Sequence, residues 1–194
     1  MAKLGFFFNM NTCIGCGACQ IACQDLHDLL PGEYFRHVET LRVRDAEGVT
    51  YVHFSGACNH CEDAHCVAAC KTGAMHKEED GTVTVDEALC IGCGSCMWNC
   101  PNGAVTFSKT KGTAQKCDAC KELRERGFAP SCVLACPTRS LDFGDIDELM
   151  AKHGVAQKDL SMLPVADITD PNLIVKIPAK LSICGEKGVD HEEG

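Results

Sequence analysis

Hydrophobic residues along the chain occur in short runs that are separated by polar and glycine-containing segments. Runs that are rich in β-branched or aromatic residues, or that alternate with polar ones, are typical of short strands. An acidic pair, Glu79 and Asp80, stands directly before one such run and indicates a hairpin turn. We predict strands at residues 4–8, 51–54, 81–85, 104–107 and 140–143.

Helical patterns are fewer than the strand patterns. We predict helical segments at residues 64–69, 121–126 and 145–153. The last of these is amphipathic, with Ile146, Leu149 and Met150 on one face. Residues 163–178 contain prolines and lack such a period, so we expect irregular, extended chain there and a polar tail beyond it.

The cysteine content changes this picture. The chain has 17 cysteines among 194 residues, a density found in disulfide scaffolds, zinc proteins and iron–sulfur proteins. The odd count, and an N-terminal segment without the features of a secretory signal, disfavour a disulfide framework. Structural zinc remains the alternative, although zinc sites usually take one cysteine pair from each of two separated knuckles.

Sixteen of the cysteines form four groups. Groups one and three have the spacing C-x2-C-x2-C-x3-C, group two widens its middle gap to four residues, and group four contains an eleven-residue gap. The groups in chain order are Cys13, Cys16, Cys19 and Cys23; Cys58, Cys61, Cys66 and Cys70; Cys90, Cys93, Cys96 and Cys100; and Cys117, Cys120, Cys132 and Cys136. Cys184 stands outside them, and we interpret it as a spare thiol.

This spacing suits a cubane cluster. Three cysteines at steps of three residues can wrap a loop around three corners of one cluster, and glycines such as Gly15 and Gly17 let backbone N–H groups approach the sulfurs. The fourth cysteine lies about one helical turn further on and, in two-cluster ferredoxins, binds the other cluster. The groups must therefore work in pairs, and the sequence predicts four 4Fe-4S clusters.

The predicted elements arrange these groups into lobes. Groups two and three follow the ferredoxin order of strand, cluster loop, helix, strand pair, cluster loop, helix and strand. Groups one and four then have only each other. We predict an α+β fold with two ferredoxin-like lobes, one inserted within the other, and an irregular C-terminal tail. The outer lobe comprises residues 1–49 and 109–147, the inner lobe residues 50–108, and the tail, which docks on a partner and holds no ligand, residues 148–194.

Several classes of function are disfavoured. The formal net charge of −9 argues against a nucleic-acid partner, because neutralising phosphates requires a basic surface. No window of the sequence approaches the length of a membrane span. The chain also lacks a dinucleotide-binding glycine motif and a P-loop, so we expect no nucleotide. No nucleophile with an adjacent base is evident, so we predict a non-catalytic protein.

Several stretches carry a likeness that is more specific than the cysteine spacing. They are Gly5-Phe6-Phe7, Cys58-Asn59-His60-Cys61-Glu62-Asp63, Gly73-Ala74-Met75-His76-Lys77, Lys116-Cys117-Asp118 and Leu141-Asp142-Phe143-Gly144. Through them, and over nearly its whole length, the chain resembles the iron–sulfur electron-transfer subunits of the molybdopterin oxidoreductases, most closely that of dimethyl sulfoxide reductase.

The resemblance implies a series of four clusters that starts at a large molybdopterin-binding (Mo/W) catalytic subunit. The implied ligand sets, in order from that subunit, are Cys13, Cys16, Cys19 and Cys136; Cys117, Cys120, Cys132 and Cys23; Cys58, Cys61, Cys66 and Cys100; and Cys90, Cys93, Cys96 and Cys70. The last cluster would face a quinone-reactive integral membrane anchor or another redox partner. The subunit would be assembled in the cytoplasm and held at the cytoplasmic membrane by its partners, on a side that the sequence leaves open.

Two other functions stay open, namely a free soluble polyferredoxin that shuttles electrons between enzymes, and local redox chemistry without a pterin partner. Two positions also depart from the family pattern. Lys71 replaces the proline that usually follows the fourth cysteine of group two, and either raises the potential of the nearby cluster or points into water. Trp98 accompanies a complete third group, and we expect Met97 and Trp98 to pack in the core. We expect His60 on the surface or beside a cluster, rather than as a Rieske-type ligand.

Overall fold

The computed structural model describes residues 3–45, 48–154, 163–179, 181 and 189–191, so Cys184 lies outside the described residues. The strands in these ranges are β1 (Leu4–Asn9), β2 (Arg36–Asp45), β3 (Gly48–Ala57), β4 (Met75–Lys77), β5 (Val83–Val85), β6 (Thr106–Phe107), β7 (Ala114–Gln115), β8 (Leu141–Asp145), β9 (Leu173–Lys176) and β10 (Val189–His191). The helices are α1 (Ala18–Leu26), α2 (His65–Ala68), α3 (Ser95–Trp98), α4 (Lys121–Glu125), α5 (Ser131–Ala135), α6 (Ile146–His153) and a 3-10 helix (Ala166–Ile168). Within the described part of the chain, no helix has the length and apolar character needed to cross a bilayer.

A three-stranded sheet with the order β8-β1-β9 joins distant parts of the chain. β1 pairs antiparallel with β8, with Phe6 opposite Phe143, and parallel with β9, with Phe7 opposite Ile174. The continuous Phe6-Phe7-Phe8 run is buried on both faces of the sheet, since each ring is at most 2% exposed. The predicted strands at residues 4–8 and 140–143 are therefore present and lie side by side.

Helix α6 begins at an N-cap that the sequence provides. The Asp145 carboxylate accepts a hydrogen bond from the Asp147 N–H at 3.0 Å, which satisfies one of the free donors of the first helical turn. Ile146 and Leu149 are buried against β1, as predicted. Met150 is 37% exposed, so the apolar face is narrower than we predicted.

The longest strand pair is one that the sequence patterns only partly predicted. β2 and β3 form an antiparallel hairpin that runs from Arg36 opposite Ala57 to Asp45 opposite Gly48. The predicted strand at residues 51–54 is the middle of β3, whereas β2 was missed. The available signal was that Leu41 and Val43, both almost fully buried, alternate with Arg42 and Arg44.

Two short hairpins flank the third cysteine group along the chain. β4 and β5 form the hairpin predicted before residues 81–85. The predicted strand at 104–107 is limited to β6, which pairs with β7. The helical turns predicted at 64–69 and 121–126 are present as α2 and α4.

The prediction of irregular chain across residues 163–178 was wrong in part. β9 lies in the middle of this segment, and its Leu173, Ile174 and Val175 side chains are buried against β1. The partner strand is almost the whole chain away in sequence, so local periodicity could not reveal the pairing. An apolar run bounded by Pro171 and Pro178 was nevertheless a strand signal.

Candidate iron–sulfur centres

Two cavities of the protein are lined by cysteines from different groups. One is lined by Cys13, Cys16, Cys19 and Cys136, and the other by Cys58, Cys61, Cys66 and Cys100. In each cavity, three cysteines come from one group and the fourth comes from another. Apolar side chains, including Phe8 in the first and Val105 in the second, complete the walls.

Electrostatic effects also link cysteines of different groups outside these two cavities. Burial raises the pKa of Cys23 to about 12, and the charge of Cys132 in group four contributes to the rise. Burial likewise raises the pKa of Cys96, with additional repulsion from Cys90 and from Cys70 of group two. Cys23, the fourth cysteine of group one, is therefore close to group four, and Cys70, the fourth cysteine of group two, is close to group three.

The chemistry of these thiols suits a metal–sulfur core. Burial raises the pKa of Cys66 to about 12 and that of Cys117 well above its usual 9.0. Such crowded thiols are stable as thiolates only when a cationic core replaces their protons. Sets of four soft sulfur ligands with apolar surroundings are typical of iron–sulfur or zinc sites. The residues present therefore fit the 4Fe-4S clusters that the sequence predicts.

Backbone N–H groups point at five of the sulfurs, although most of these donors lie outside the glycine-containing loops where we predicted them. The donors and their sulfurs are Ser140 N to Cys136 Sγ (3.2 Å), Met75 N to Cys70 Sγ (3.3 Å), and Ala104 N to Cys100 Sγ, Ala114 N to Cys90 Sγ and Ala119 N to Cys117 Sγ (3.4 Å each). In group one, Gly15 and Gly17 supply the left-handed turns, with φ of 69° and 72°. The first two cysteines of group four have no glycine between them, and Ala119 adopts a φ of 56° there.

The segment before β9 holds the second cysteine loop in position. The Glu62 N–H donates to Asp170 O at 2.8 Å, and the Asp63 N–H donates to Thr169 O at 3.1 Å. Asn172 spans the gap to β1, because its N–H donates to Asn59 O while its own carbonyl accepts from the Phe6 N–H, both at 3.0 Å. A segment without any ligand cysteine therefore fixes the loop that carries Cys58 and Cys61.

We expect Asn172→Ala to lower the free energy of unfolding by about 1–3 kcal/mol. The Asn172 side chain is 1% exposed and donates to His60 O at 2.8 Å, so its removal leaves a buried carbonyl without its donor. Asn99→Ala is the matched control, since the exposed Asn99 amide also donates to a carbonyl, Ser95 O, which water can reach. Urea unfolding should separate the two variants, and equal losses would contradict the role of Asn172.

Sequence patterns missed the basic groups that lie among the thiols. Arg36 is 3% exposed and Lys116 is 5% exposed. The Lys116 Nζ donates to Val83 O and, at 2.6 Å, to Cys117 O. His27 was also missed, and its Nε2 lies 3.8 Å from Cys120 Sγ. A spacing of four residues after Cys23, one helical turn, was the signal for His27.

The structure tests the positions that we expected for four single residues. The surface position allowed for His60 is wrong, because the ring is fully buried and its Nδ1 accepts the Val83 N–H at 3.0 Å. Core positions for Met97 and Trp98 are also wrong, since these side chains are 38% and 89% exposed. The four-residue α3 buries Cys96 and leaves its last two side chains outside. Lys71 is exposed, which agrees with the interpretation that its side chain points into water.

Comparisons with known proteins agree with these centres. Two models of a 4Fe-4S dicluster domain match residues 12–74 and 49–146. One chain of the anaerobic dimethyl sulfoxide reductase of Escherichia coli is 44% identical over 182 residues, which cover 90% of the present chain and 88% of that protein. The thiosulfate reductase electron transfer subunit of Salmonella typhi is 39% identical, covering 76% and 79%. A subunit of the sulfite dehydrogenase of Allochromatium vinosum is 35% identical, covering 82% and 75%.

Two dicluster domains provide four 4Fe-4S clusters, so the predicted cofactors are confirmed and structural zinc is disfavoured. The names of these relatives describe chains or subunits of reductases and dehydrogenases, one of them an electron transfer subunit. The identity extends over most of the sequence, well beyond the cysteine motifs. The protein therefore belongs to the family of 4Fe-4S dicluster iron–sulfur subunits that includes the corresponding subunit of the anaerobic dimethyl sulfoxide reductases.

Proposed function

We propose that this protein is a non-catalytic subunit that transfers electrons through four 4Fe-4S clusters, between a molybdopterin-binding (Mo/W) catalytic subunit and a quinone-reactive membrane anchor or other redox partner. The observation that carries the proposal is that each of two cavities is lined by four cysteines, three from one group and one from another. When bound, the clusters supply one-electron redox chemistry. The residues of the protein set their positions, burial and hydrogen bonds.

The proposed ligand sets cross between the groups. They are Cys13, Cys16, Cys19 with Cys136; Cys117, Cys120, Cys132 with Cys23; Cys58, Cys61, Cys66 with Cys100; and Cys90, Cys93, Cys96 with Cys70. The two four-cysteine cavities support the first and third sets. The charge of Cys132 contributes to the raised pKa of Cys23, and the charge of Cys70 contributes to the raised pKa of Cys96, which supports the other two sets.

Neighbouring sets follow one another in the proposed order. The first and second sets share helix α1, which carries both Cys19 and Cys23. Burial raises the pKa of Cys117, and the charge of Cys58 adds to this effect, so the second and third sets are close. The third and fourth sets border one apolar cluster around Met75. An electron could therefore pass from set to set without leaving the protein interior.

The two terminal sets are the ones that reach the surface. Cys16 in the first set and Cys93 in the fourth are exposed, whereas the thiols of the second set are all buried. Ile14 beside the first set is 61% exposed, and Trp98 beside the fourth set is 89% exposed. Exposed apolar side chains next to a redox centre suit docking of partner subunits.

We also infer the nested arrangement of two ferredoxin-like lobes. Its outer lobe comprises residues 1–49 and 109–147, its inner lobe residues 50–108, and residues 148–194 include the segment that docks on a partner. Pairing of β1 with β8 supports an outer lobe that closes around the inner one. Ion pairs of Arg124 with Asp80, at 2.6 Å, and of Lys121 with Glu78, at 2.8 Å, join the two proposed lobes. Through its partners the subunit would lie at the cytoplasmic membrane.

Anaerobically purified protein should contain about sixteen irons and sixteen acid-labile sulfides per chain, four of each per cluster. A large subunit that contains molybdenum or tungsten should co-purify in equal amount. Metal analysis, sulfide analysis and the subunit ratio measure these outcomes. Zinc without labile sulfide would contradict the clusters, and a loaded protein that exchanges electrons with soluble enzymes on its own would instead support a free polyferredoxin.

A further inference from the structure

Arg36 is a buried cation at the start of β2, beside the first two cysteine sets. Its side chain is 3% exposed, and the guanidinium lies over the Phe6 ring, 4.7 Å from the ring centroid. Its Nη1 donates to Ser55 O at 3.0 Å and to Ser55 Oγ at 3.1 Å. Neither contact is with a carboxylate, so the ion pair that a buried arginine normally requires has to be found elsewhere.

Ser55 connects this guanidinium to the first cysteine set. The Ser55 Oγ lies 3.4 Å from Cys19 Sγ. Because Oγ accepts from Arg36, the hydroxyl hydrogen of Ser55 is available to donate to the sulfur. Two aligned hydrogen bonds therefore run from the arginine to Cys19, and each strengthens the other when negative charge on the sulfur increases.

The thiols of the second cysteine set also act on the guanidinium electrostatically. Its buried Nη2 has no hydrogen-bond partner among the described residues. Although burial would lower the pKa of Arg36, the thiolates of Cys132 and Cys117 raise it above its usual value. A buried donor without a protein partner requires an explanation, and the sulfur atoms of a bound cluster are acceptors of the right kind.

We propose, on the basis of the four-cluster function above, that Arg36 is a positioning residue that raises the reduction potentials of two adjacent clusters, the one bound through Cys19 and the one bound through Cys117. Reduction adds negative charge to a cluster, and a cation that burial protects from screening stabilises the reduced state. The same cation offsets the repulsion between two adjacent reduced clusters. If both potentials rise equally, the driving force for electron transfer between these two clusters stays the same, while electrons from elsewhere in the series are drawn more strongly to this pair.

The test is an EPR-monitored redox titration of the anaerobic complex that carries Arg36→Met. We expect the midpoints of the two adjacent clusters to fall, with each ratio of reduced to oxidised cluster changing at least tenfold, or about 59 mV for a one-electron couple. The other two midpoints should stay in place. Arg44→Met is the matched control, because it removes the same charge from an exposed position on the same strand.

Two milder variants test the serine hydroxyl and the shape of the guanidinium separately. Ser55→Ala removes the bridging hydroxyl and should lower only the midpoint of the cluster bound through Cys19. Arg36→Lys keeps the charge but loses the planar fork, and its two midpoints should lie between those of the wild type and of Arg36→Met. A purely structural role for Arg36 would not produce this ordered set of shifts.

Iron and sulfide contents separate the possible failures. A preparation that never contains four clusters would refute the proposed function itself. Four clusters with unchanged midpoints in Arg36→Met would overturn the role of Arg36 alone. If Arg36→Met does not assemble, Ser55→Ala decides, and an unchanged midpoint for the cluster bound through Cys19 overturns the proposal.

Discussion

Replacing Cys23 with serine should damage the cluster whose other ligands lie in group four, and should leave the cluster bound by Cys13, Cys16 and Cys19 intact. The reason is the crossed geometry, since Cys23 is fourth in group one but lies beside Cys132. Cys136→Ser should have the reverse effect, because Cys136 lines the cavity of the group-one thiols. A hydroxyl is a poor ligand for iron compared with a thiolate, so we expect loss or conversion of one cluster in each variant.

EPR spectra and iron contents of the two variants, compared side by side, measure this outcome. Each variant should lack a different signal and up to about four irons. Cys184→Ser is the control, because Cys184 stands outside the four groups and should change neither quantity. Loss of the same signal in Cys23→Ser and Cys136→Ser, or loss of a group's own cluster in each, would exclude the crossed arrangement.

The cysteine groups could be predicted because the ligands within one group are close together in the sequence and have a characteristic spacing. Steps of three residues, with glycines between them, leave few other uses for thiols at this density. The strand at residues 4–8 could be predicted for a similar reason, since three consecutive phenylalanines require burial on both faces. Capping of α6 by Asp145 is equally local. These features depend on neighbours within a few residues, so a single sequence contains them.

Two of the features that escaped prediction, β9 and the burial of Arg36, depend on distant partners. β9 is a strand because β1 lies beside it, and local chain signals do not encode that pairing. Arg36 looks like an ordinary polar strand residue until the thiols of groups one and four close around it. The prediction for Trp98 was wrong for a different reason. Its apolar ring suggested a core position that the short helix α3 does not provide.

The role of residues after 168 shows how much such distant pairing matters. A protein that ends at Ile168 keeps all sixteen grouped cysteines, and the absence of ligands beyond that point predicted intact clusters with weaker partner binding. The contacts of the segment that follows lead to the opposite expectation. The missing part would include Asn172 and β9, which join the loop of Cys58 and Cys61 to β1.

We expect the protein that ends at Ile168 to lose its clusters, beginning with the one bound through Cys58 and Cys61. Truncation exposes the surfaces that Leu173, Ile174 and Val175 cover, and each fully buried aliphatic side chain contributes roughly 1.5–3 kcal/mol. The total is comparable with the roughly 5–15 kcal/mol by which a typical domain is stable. Iron content and the thermal unfolding midpoint should therefore both fall sharply.

A protein that ends at Leu181 provides the matched control for this truncation. It retains β9 and the buried Leu181, and loses only β10 among the described strands, which pairs with three residues of β2. We expect it to keep about sixteen irons and most of its thermal stability. Hydrogen exchange gives the local readout, because the Glu62 and Asp63 amides donate to residues 170 and 169 and should lose protection only in the shorter protein. If the protein that ends at Ile168 instead keeps its iron and its protected amides, the segment serves a partner alone, and the cysteine loops hold their shape without it.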